Sequence, residues 1–149
     1  MFRKPDFKGV FLPQIEIQDQ PKKGYICIAS ADIPIGTLIE RCITIKFELS
    51  ALKQMYDFLG GRTIFQDYVF TKSGYAYFAM GYGMVYSHDN KPNAKWSITH
   101  HENGRDTVDF RAIRNIEKGE EITVSYISIP SLLWFEQDET STASDSSPS

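Results

Sequence analysis

Residues 81–95 read GYGMVYSHDNKPNAK, and residues 116–126 read IEKGEEITVSY. In the first stretch, apolar and aromatic residues give way to polar ones, which predicts a strand that runs into a loop. In the second, Lys118-Gly119 is typical of a turn, and the residues after it predict a short strand that ends at Tyr126. We expect the fold to be organised around these two segments, with the preceding residues forming a β platform beneath them.

The composition is that of one ordinary globular domain. The chain has 149 residues, of which 42% are hydrophobic and 23% charged. Its net charge of −3 argues against a nucleic-acid-binding face. The first residues lack the apolar core of a signal peptide, and no apolar run approaches the ~20 residues of a membrane span. We therefore expect an intracellular protein, cytoplasmic or nuclear in a eukaryotic host and not secreted, with neither nucleic acid nor membrane as a partner.

Most of the remaining pattern is typical of β structure. Four apolar residues recur at helical spacing, namely Leu52, Met55, Tyr56 and Leu59. They predict a helix over residues 50–59, with Ser50 capping its start and Gly60 ending it. Strands are expected over residues 10–17, 25–29, 37–47, 94–99, 107–113 and 122–125, with a polar turn at 18–23 and an Asn103-Gly104 hairpin turn.

Aromatic residues are dense just before the central segments, and polar residues dominate the end of the chain. Residues 65–86 contain eight aromatics, five of them tyrosines. Most are expected to pack in the core or at its rim, although the density also fits a narrow apolar channel lined by hydroxyls. Residues 137–149 have no large apolar side chain, which predicts disorder.

The titratable residues give no strong catalytic or metal-binding pattern. Adjacent residues on a strand point to opposite faces, so His100 and His101 are not expected to share a metal. Cys27 and Cys42 form no CxxC pair and are interpreted as reduced, buried thiols. Three carboxylates flank the Lys118-Gly119 turn, namely Glu117, Glu120 and Glu121. We interpret them as solvent-exposed surface residues.

The residues alone therefore predict a β domain with an aromatic cleft and one unusual polar loop. His88 in that loop and Tyr126 at the end of the last strand remain as candidate functional residues. A loop of this composition can bind a small ligand through backbone and side-chain hydrogen bonds. Both residues also have ordinary structural interpretations, and spacing alone leaves the choice open.

At these residues the sequence resembles the SET-domain family, the protein-lysine methyltransferases that use S-adenosylmethionine. Residues 119–126 match the family's Gly-Glu-Glu-(Ile/Leu)-Thr-x-x-Tyr segment completely. Residues 87–93 correspond to its Asn-His-Ser-x-x-Pro-Asn loop, with Ser87 and Asp89 in place of the asparagine and serine. Residues 24–26 and 35–37 are similar to the opening motif, and residues 67–70 to an insert of small viral and bacterial members.

The resemblance implies a mostly β fold of the β-clip or SET type. Several small sheets, one short helix and a C-terminal pseudoknot are expected. The implied organisation is an N-terminal lead-in over residues 1–11, a SET domain over 12–126, a closing segment over 127–136 and a disordered tail over 137–149.

The resemblance also implies a site. Tyr126 would be the catalytic residue. S-adenosylmethionine would be bound by Gly24, Tyr25, Tyr86, Ser87, His88 and Tyr126. Tyr68 and Tyr82 would bind the substrate lysine, and no metal is expected. The partner would be a lysine-bearing protein or peptide, added as a strand along a sheet edge. A homodimer through Trp134 and Phe135 is left open.

Three departures from the family pattern favour an alternative function. Ser87 loses an amide, Asp89 adds a charge, and Ile26 replaces the second glycine of the opening motif, where it could crowd the cofactor. The alternative is a catalytically weak or inactive SET domain that acts as a peptide-binding or interaction module.

Overall fold

The computed structural model describes residues 14–61 and 69–125. This part of the chain is mostly β with a single short helix, as predicted. Its elements are β1 (Ile15–Gln20), β2 (Gly24–Ala29), β3 (Leu38–Glu48), α1 (Leu49–Phe58), β4 (Phe70–Lys72), β5 (Tyr75–Ala79), β6 (Ser87–His88), β7 (Ala94–His100), β8 (Asp106–Ala112) and β9 (Thr123–Val124). They fall into two compact units, which comprise residues 14–45 with 79–125, and residues 46–61 with 69–78.

The first unit contains three small sheets. β1 and β2 form an antiparallel hairpin, and β3, β8 and β7 are neighbours in that order in a second antiparallel sheet. β6 and β9 form a short parallel pair. Parallel strands need a long connection. Here, that connection is the β7–β8 hairpin and the residues that flank it.

The core of the first unit lies under the inward faces of β2, β3 and β8. The Tyr86 and Phe110 rings stack in a tilted arrangement with their centroids 4.6 Å apart. Cys27 and Cys42 are free, buried thiols, as the sequence predicted. Burial and the nearby Glu40 and Glu121 carboxylates raise the pKa of Cys27 to about 12, so this thiol stays protonated and unreactive at neutral pH.

A buried polar group lies on the opposite side of the same sheet. The Asp109 carboxylate accepts two hydrogen bonds from the Arg41 guanidinium, at 3.0 and 2.9 Å. It also accepts from Thr99 Oγ1 at 2.7 Å and from Thr107 Oγ1 at 2.9 Å. We call Arg41, Thr99, Thr107 and Asp109 the Asp109 cluster. Its members are on paired or neighbouring strands, so the cluster fastens β3, β8 and β7 together.

The second unit is built on the helix. Leu52 is fully buried against Val69 and Ala76. The predicted end is confirmed, because Gly60 has φ 75° and its N–H bonds Asp57 O while the Gly61 N–H bonds Tyr56 O. This is the Schellman arrangement, which favours glycine. The predicted start is wrong: the N-cap is Glu48, without a side-chain cap, and Ser50 lies inside the first turn.

A hairpin that the sequence analysis did not predict completes the second unit. β4 and β5 are antiparallel, and Ser73 and Gly74 between them both have positive φ, 52° and 83°. Such a two-residue turn matches the twist of the flanking strands. The Ser-Gly pair between alternating apolar residues was the available signal. The prediction for this region was based on its aromatic residues, which were interpreted as core packing or a channel lining.

Two strand boundaries differ from prediction, whereas β3 agrees with it. β1 continues to Gln20, through residues assigned to a turn, and the turn is confined to 21–23. β3 is one long strand over most of its predicted range. Residues 81–85 form turns and only Ser87–His88 are extended, so the strand expected at the front of the first segment was wrong.

Several predictions concern residues outside the described ranges. These are the lead-in over 1–11, the closing segment over 127–136 and the tail over 137–149. The predicted pseudoknot also depends on residues after Ser125, and the described part of this region contains the parallel β6–β9 pair.

Within 14–61 and 69–125, no helix has the length and apolar character needed to span a membrane. The same residues contain no group of three His, Cys, Asp or Glu side chains placed to hold a metal ion.

Candidate active site

The two segments that the sequence singled out are paired in the structure. Ser87 lies opposite Thr123 and His88 opposite Val124 in the parallel β6–β9 pair. The Asp89 N–H continues the pairing by donating to Val124 O at 3.0 Å. Main-chain hydrogen bonds therefore fix the polar loop against the strand that leads to Tyr126.

Asn93 fastens the same two segments through its side chain. Its Oδ1 accepts from the Thr123 N–H at 2.9 Å, and its Nδ2 donates to Glu121 O at 2.7 Å and to Glu120 Oε2 at 3.1 Å. The Asn93 N–H donates to Thr123 Oγ1 at 3.2 Å. We call Asn93, Glu120, Glu121 and Thr123 the Asn93 cluster. Asn93 is 1% exposed, so no water replaces these bonds and the backbone path of residues 120–123 depends on them.

The second segment also pairs with β2. The Ala29 N–H donates to Glu120 O at 2.9 Å, and the Ile122 N–H donates to Cys27 O at 2.9 Å. Ile28 and Glu121 form an antiparallel bridge. Because the pairing is antiparallel, the second segment runs along β2 towards its Gly24-Tyr25 end. Three distant parts of the sequence are thereby joined in the first unit.

Four of the predicted cofactor residues are exposed or half-buried. Gly24 has φ 81°, and a Cβ there would meet no atom within 4 Å, so its backbone borders open space. Tyr25 is 70% exposed. Ser87 is half-buried, and His88 is exposed with its Nε2 3.3 Å from Asn90 Oδ1. The cofactor roles of these four residues stay predictions.

Tyr86 is placed differently from the other predicted cofactor residues. Its side chain is fully buried, and its hydroxyl donates to Glu40 Oε1 at 2.8 Å. Burial and then the Glu40 charge raise the pKa of Tyr86 far above its usual range, so the hydroxyl remains a donor. Tyr82, a predicted substrate residue, is 36% exposed. Its N–H donates to the other Glu40 oxygen at 3.1 Å.

Two predicted site residues lie outside the described ranges. These are Tyr126, the predicted catalytic residue, and Tyr68 of the predicted lysine channel. The residue before Tyr126 is described: Ser125 O accepts a hydrogen bond from Trp96 Nε1 at 3.2 Å. The chain is therefore anchored at the position from which Tyr126 extends.

Comparison with known proteins identifies the family. The model of the SET domain matches residues 24–127, which is more than half of the chain. The chain belongs to the SET domain family. It is also 34% identical over 135 residues to a Schizosaccharomyces pombe histone-lysine N-methyltransferase specific for lysine 37 of histone H3. That alignment covers 90% of this chain and 84% of the relative.

A solved structure supports the SET fold independently. The crystal structure of a candidate histone methyltransferase from Plasmodium falciparum matches with a TM-score of 0.63. The match covers 80% of this chain and 98% of that one at 23% sequence identity. At that identity the likeness supports the fold alone. The predicted β-clip or SET class is therefore confirmed for this SET domain.

Two of the three departures from the SET motifs have a structural explanation. The Ile26 side chain is 1% exposed and packs in the core, so its bulk does not face open space beside Gly24. Asp89 Oδ1 accepts from the Lys91 N–H at 2.9 Å, which closes a local turn in the loop. A serine at that position can make the same kind of turn more weakly. Ser87 has no such explanation.

The remaining titratable residues of this SET domain fall into two groups. Glu117 is exposed as expected, but solvent exposure was the wrong interpretation for Glu120 and Glu121, which are half-buried in the Asn93 cluster. Glu121 Oε2 pairs with Lys23 at 2.9 Å, whereas its Oε1 is buried with no hydrogen-bond partner in the described structure. The two hairpin histidines contact different residues: His100 pairs with Asp106, and His101 with Thr107.

Glu40 and Trp96 were not among the predicted site residues. Glu40 is a carboxylate at an inward position of a strand otherwise rich in β-branched residues, which was a usable signal of an unusual buried group. Nothing in the sequence indicated its partners at residues 82 and 86. Trp96 had no signal, since an indole on a strand is most often a packing residue.

Proposed function

We propose that this SET domain transfers a methyl group from S-adenosylmethionine to a lysine side chain of a protein substrate. The observation that carries the proposal is the pairing of residues 87–89 with residues 123–124, reinforced by Asn93. It joins the two motif segments whose order and spacing match the family. The family membership and the fission-yeast relative support the reaction class.

The reaction needs a neutral lysine amine. A free lysine has a pKa near 10.4, so neutralising it at pH 7 costs about 4.6 kcal/mol. Apolar surroundings lower that pKa because they disfavour the charged form. Among the described aromatics of residues 65–86, Tyr77 and Tyr86 are fully buried while Tyr82 and Tyr75 reach the surface. Tyr82 belongs to the same unit as Ser87 and Thr123, whereas Tyr75 belongs to the second unit. We therefore assign Tyr82 to the substrate amine, with Tyr68 and Tyr126 assigned from the resemblance.

The described residues fit S-adenosylmethionine. The cofactor supplies the electrophilic methyl group when bound. Gly24 offers accessible backbone, Tyr25 an exposed ring, and Ser87 and His88 main-chain groups at the end of a fixed strand pair. Glu121 forms an antiparallel bridge with Ile28 of β2. Its Oε1 is a buried acceptor with no hydrogen-bond partner among the described residues, so it is free to accept a hydrogen bond from a bound ligand. Tyr126 would orient the amine.

The first test is calorimetric titration of S-adenosylmethionine into the purified protein, followed by a methyl-transfer assay. Histone H3 is the first substrate to try because the relative is named for it. We expect binding in the micromolar range and transfer that is lost in Tyr126→Phe. Tyr75→Phe, a tyrosine outside the proposed site, is the matched control and should retain transfer. Histone H3 carrying arginine at position 37 tests whether the target is also shared.

The alternative, an interaction module without activity, rests on Ser87. A wild type that binds no cofactor, with binding restored by Ser87→Asn, would favour it over the enzyme. Turnover that disappears in Tyr126→Phe would reject it.

Two further expectations are an intracellular location and a homodimer. Cell fractionation would test the location, and sedimentation would test the oligomeric state.

A further inference from the structure

Glu40 is a buried carboxylate at the centre of the first unit. It lies on β3 and is 7% exposed. Its Oε1 accepts from the Tyr86 hydroxyl at 2.8 Å, and its Oε2 accepts from the Tyr82 N–H at 3.1 Å. Within the described residues, no lysine or arginine forms an ion pair with it. A carboxylate is costly to bury, so these hydrogen bonds must be maintained.

The turn over residues 81–86 packs closely against this carboxylate and the residues beside it. Gly81 has φ 73°, and a Cβ there would lie 2.5 Å from Glu40 Oε2. At Gly83 a Cβ would lie 2.5 Å from the Ala79 Cβ and 3.2 Å from Cys42 Sγ. Both glycines therefore let the backbone approach more closely than any other residue would allow.

The two hydrogen bonds hold both ends of the turn. Tyr82 at its start is the exposed tyrosine proposed for the substrate amine. Tyr86 at its end directly precedes Ser87, whose backbone pairs with Thr123 in the proposed cofactor site. The Glu40 side chain therefore constrains Tyr82, in the proposed substrate half of the site, and Tyr86, which precedes Ser87 in the proposed cofactor half.

We propose that Glu40 is a positioning residue that fixes the 81–86 turn and thereby the placement of Tyr82 and Ser87. The proposal rests on the proposed function, because the site it positions is the methyl-transfer site. Glu40 touches neither the substrate nor the cofactor in this account. It acts through the backbone of residue 82 and the side chain of residue 86.

The test compares Glu40→Leu with Glu40→Gln and Tyr86→Phe. Leucine keeps much of the volume and removes both acceptors, whereas glutamine keeps both contacts: its oxygen accepts from the Tyr82 N–H and its amide donates to the Tyr86 oxygen. We expect Glu40→Leu to raise the KM for S-adenosylmethionine by about tenfold or more, from the loss of hydrogen bonds to a buried charge. Glu40→Gln should stay near wild type, and Tyr86→Phe should lie between them.

Hydrogen exchange in the absence of ligand separates positioning from activity. Amides of residues 81–88 should exchange faster in Glu40→Leu and remain protected in Glu40→Gln. Leu52→Ala, a core truncation in the second unit, is the control for lost stability and should leave both the KM and this exchange pattern unchanged. If Glu40→Leu does not fold, Tyr86→Phe carries the test.

The outcomes are distinct for the two proposals. Wild-type exchange and wild-type KM in Glu40→Leu, or in Tyr86→Phe where the leucine variant does not fold, would overturn the role of Glu40. An equal rise of KM in Leu52→Ala would also overturn it, because loss of stability alone would then explain the effect. Failure of the wild type to bind S-adenosylmethionine would overturn the proposed function, while the exchange comparison would still decide whether Glu40 holds the turn.

Discussion

The Asn93 cluster and the Asp109 cluster are both buried polar groups in the first unit, but they bind different parts of the chain. Asn93 bonds mainly to main-chain groups of residues 121 and 123, about thirty positions away in the chain. Asp109 bonds to side chains on β3, β7 and β8, including a paired contact with Arg41. The first cluster shapes a backbone, whereas the second joins strands that are already paired.

This difference predicts separate consequences. Disturbing Asn93 should alter the proposed cofactor site together with stability, since the backbone of residues 120–123 loses its partner. Disturbing Asp109 or Arg41 should lower stability and leave ligand binding intact.

Replacing Asn93 with alanine should have the largest effect. The change leaves the buried Thr123 N–H and Glu121 carbonyl unsatisfied, at about 1–3 kcal/mol for each group. We expect a matching loss in unfolding free energy by urea denaturation and at least tenfold weaker S-adenosylmethionine binding by calorimetry. Asn93→Asp is the informative companion, because its second oxygen would face the Glu121 carbonyl and the Glu120 carboxylate. It should be nearly as damaging, and wild-type binding in both variants would contradict a shaping role.

Replacing Arg41 with methionine tests the other cluster. The change leaves the Asp109 carboxylate buried without its cation, which should destabilise the protein by about 3 kcal/mol. Cofactor affinity of the folded variant should match the wild type in the same calorimetric assay. A variant that is stable yet loses binding would show that the two clusters are not functionally separate.

The pH dependence of stability sharpens the same contrast. Burial alone would raise the pKa of Asp109, but hydrogen bonds from Arg41, Thr99 and Thr107, with the Arg41 charge, bring it below its usual value. Its stabilising contribution is therefore fully present above about pH 4, the unfolded pKa, and is lost as the pH falls through the lower folded value. Denaturation series should show the advantage of wild type over Asp109→Asn shrinking below about pH 4. An advantage that is constant with pH would refute this account.

Trp96→Phe should have a smaller effect, confined to the site. It removes the hydrogen bond to Ser125 O, worth about 1 kcal/mol, and keeps an aromatic ring. We expect a several-fold lower kcat in the methyl-transfer assay with a small change in melting temperature. Equal kcat would indicate that the residue before Tyr126 needs no anchor.

Asp89→Ser should have the smallest effect. A serine hydroxyl can accept from the Lys91 N–H and preserve the local turn. Unfolding free energy and cofactor affinity should both remain within about 0.5 kcal/mol of wild type. A gain in affinity beyond that range would instead identify the Asp89 charge as a handicap for the site.

How far the sequence predicts this protein depends on the range of the interaction. The Gly60 helix end and the glycine in the turn between β7 and β8 were predictable, because Gly60 and Gly104 both have positive φ, which favours glycine. The Ser50 cap was not, because Glu48 already occupies the cap position as β3 runs directly into the helix. The half-buried positions of Glu120 and Glu121 were also missed, since their contacts with Asn93 and Lys23 join residues that are far apart in the sequence.

The sequence by itself determined the β class, the helix that ends at Gly60 and, through two ordered motifs, the family. These features follow from local periodicity, turn chemistry and residue identity, which need no knowledge of distant contacts. Only the tertiary structure decided that Ile26 points into the core, that Asn93 ties residues 121 and 123 in place, and that Glu40 lies beneath the 81–86 turn. Those outcomes depend on which strands become neighbours, and burial gives each resulting hydrogen bond its importance.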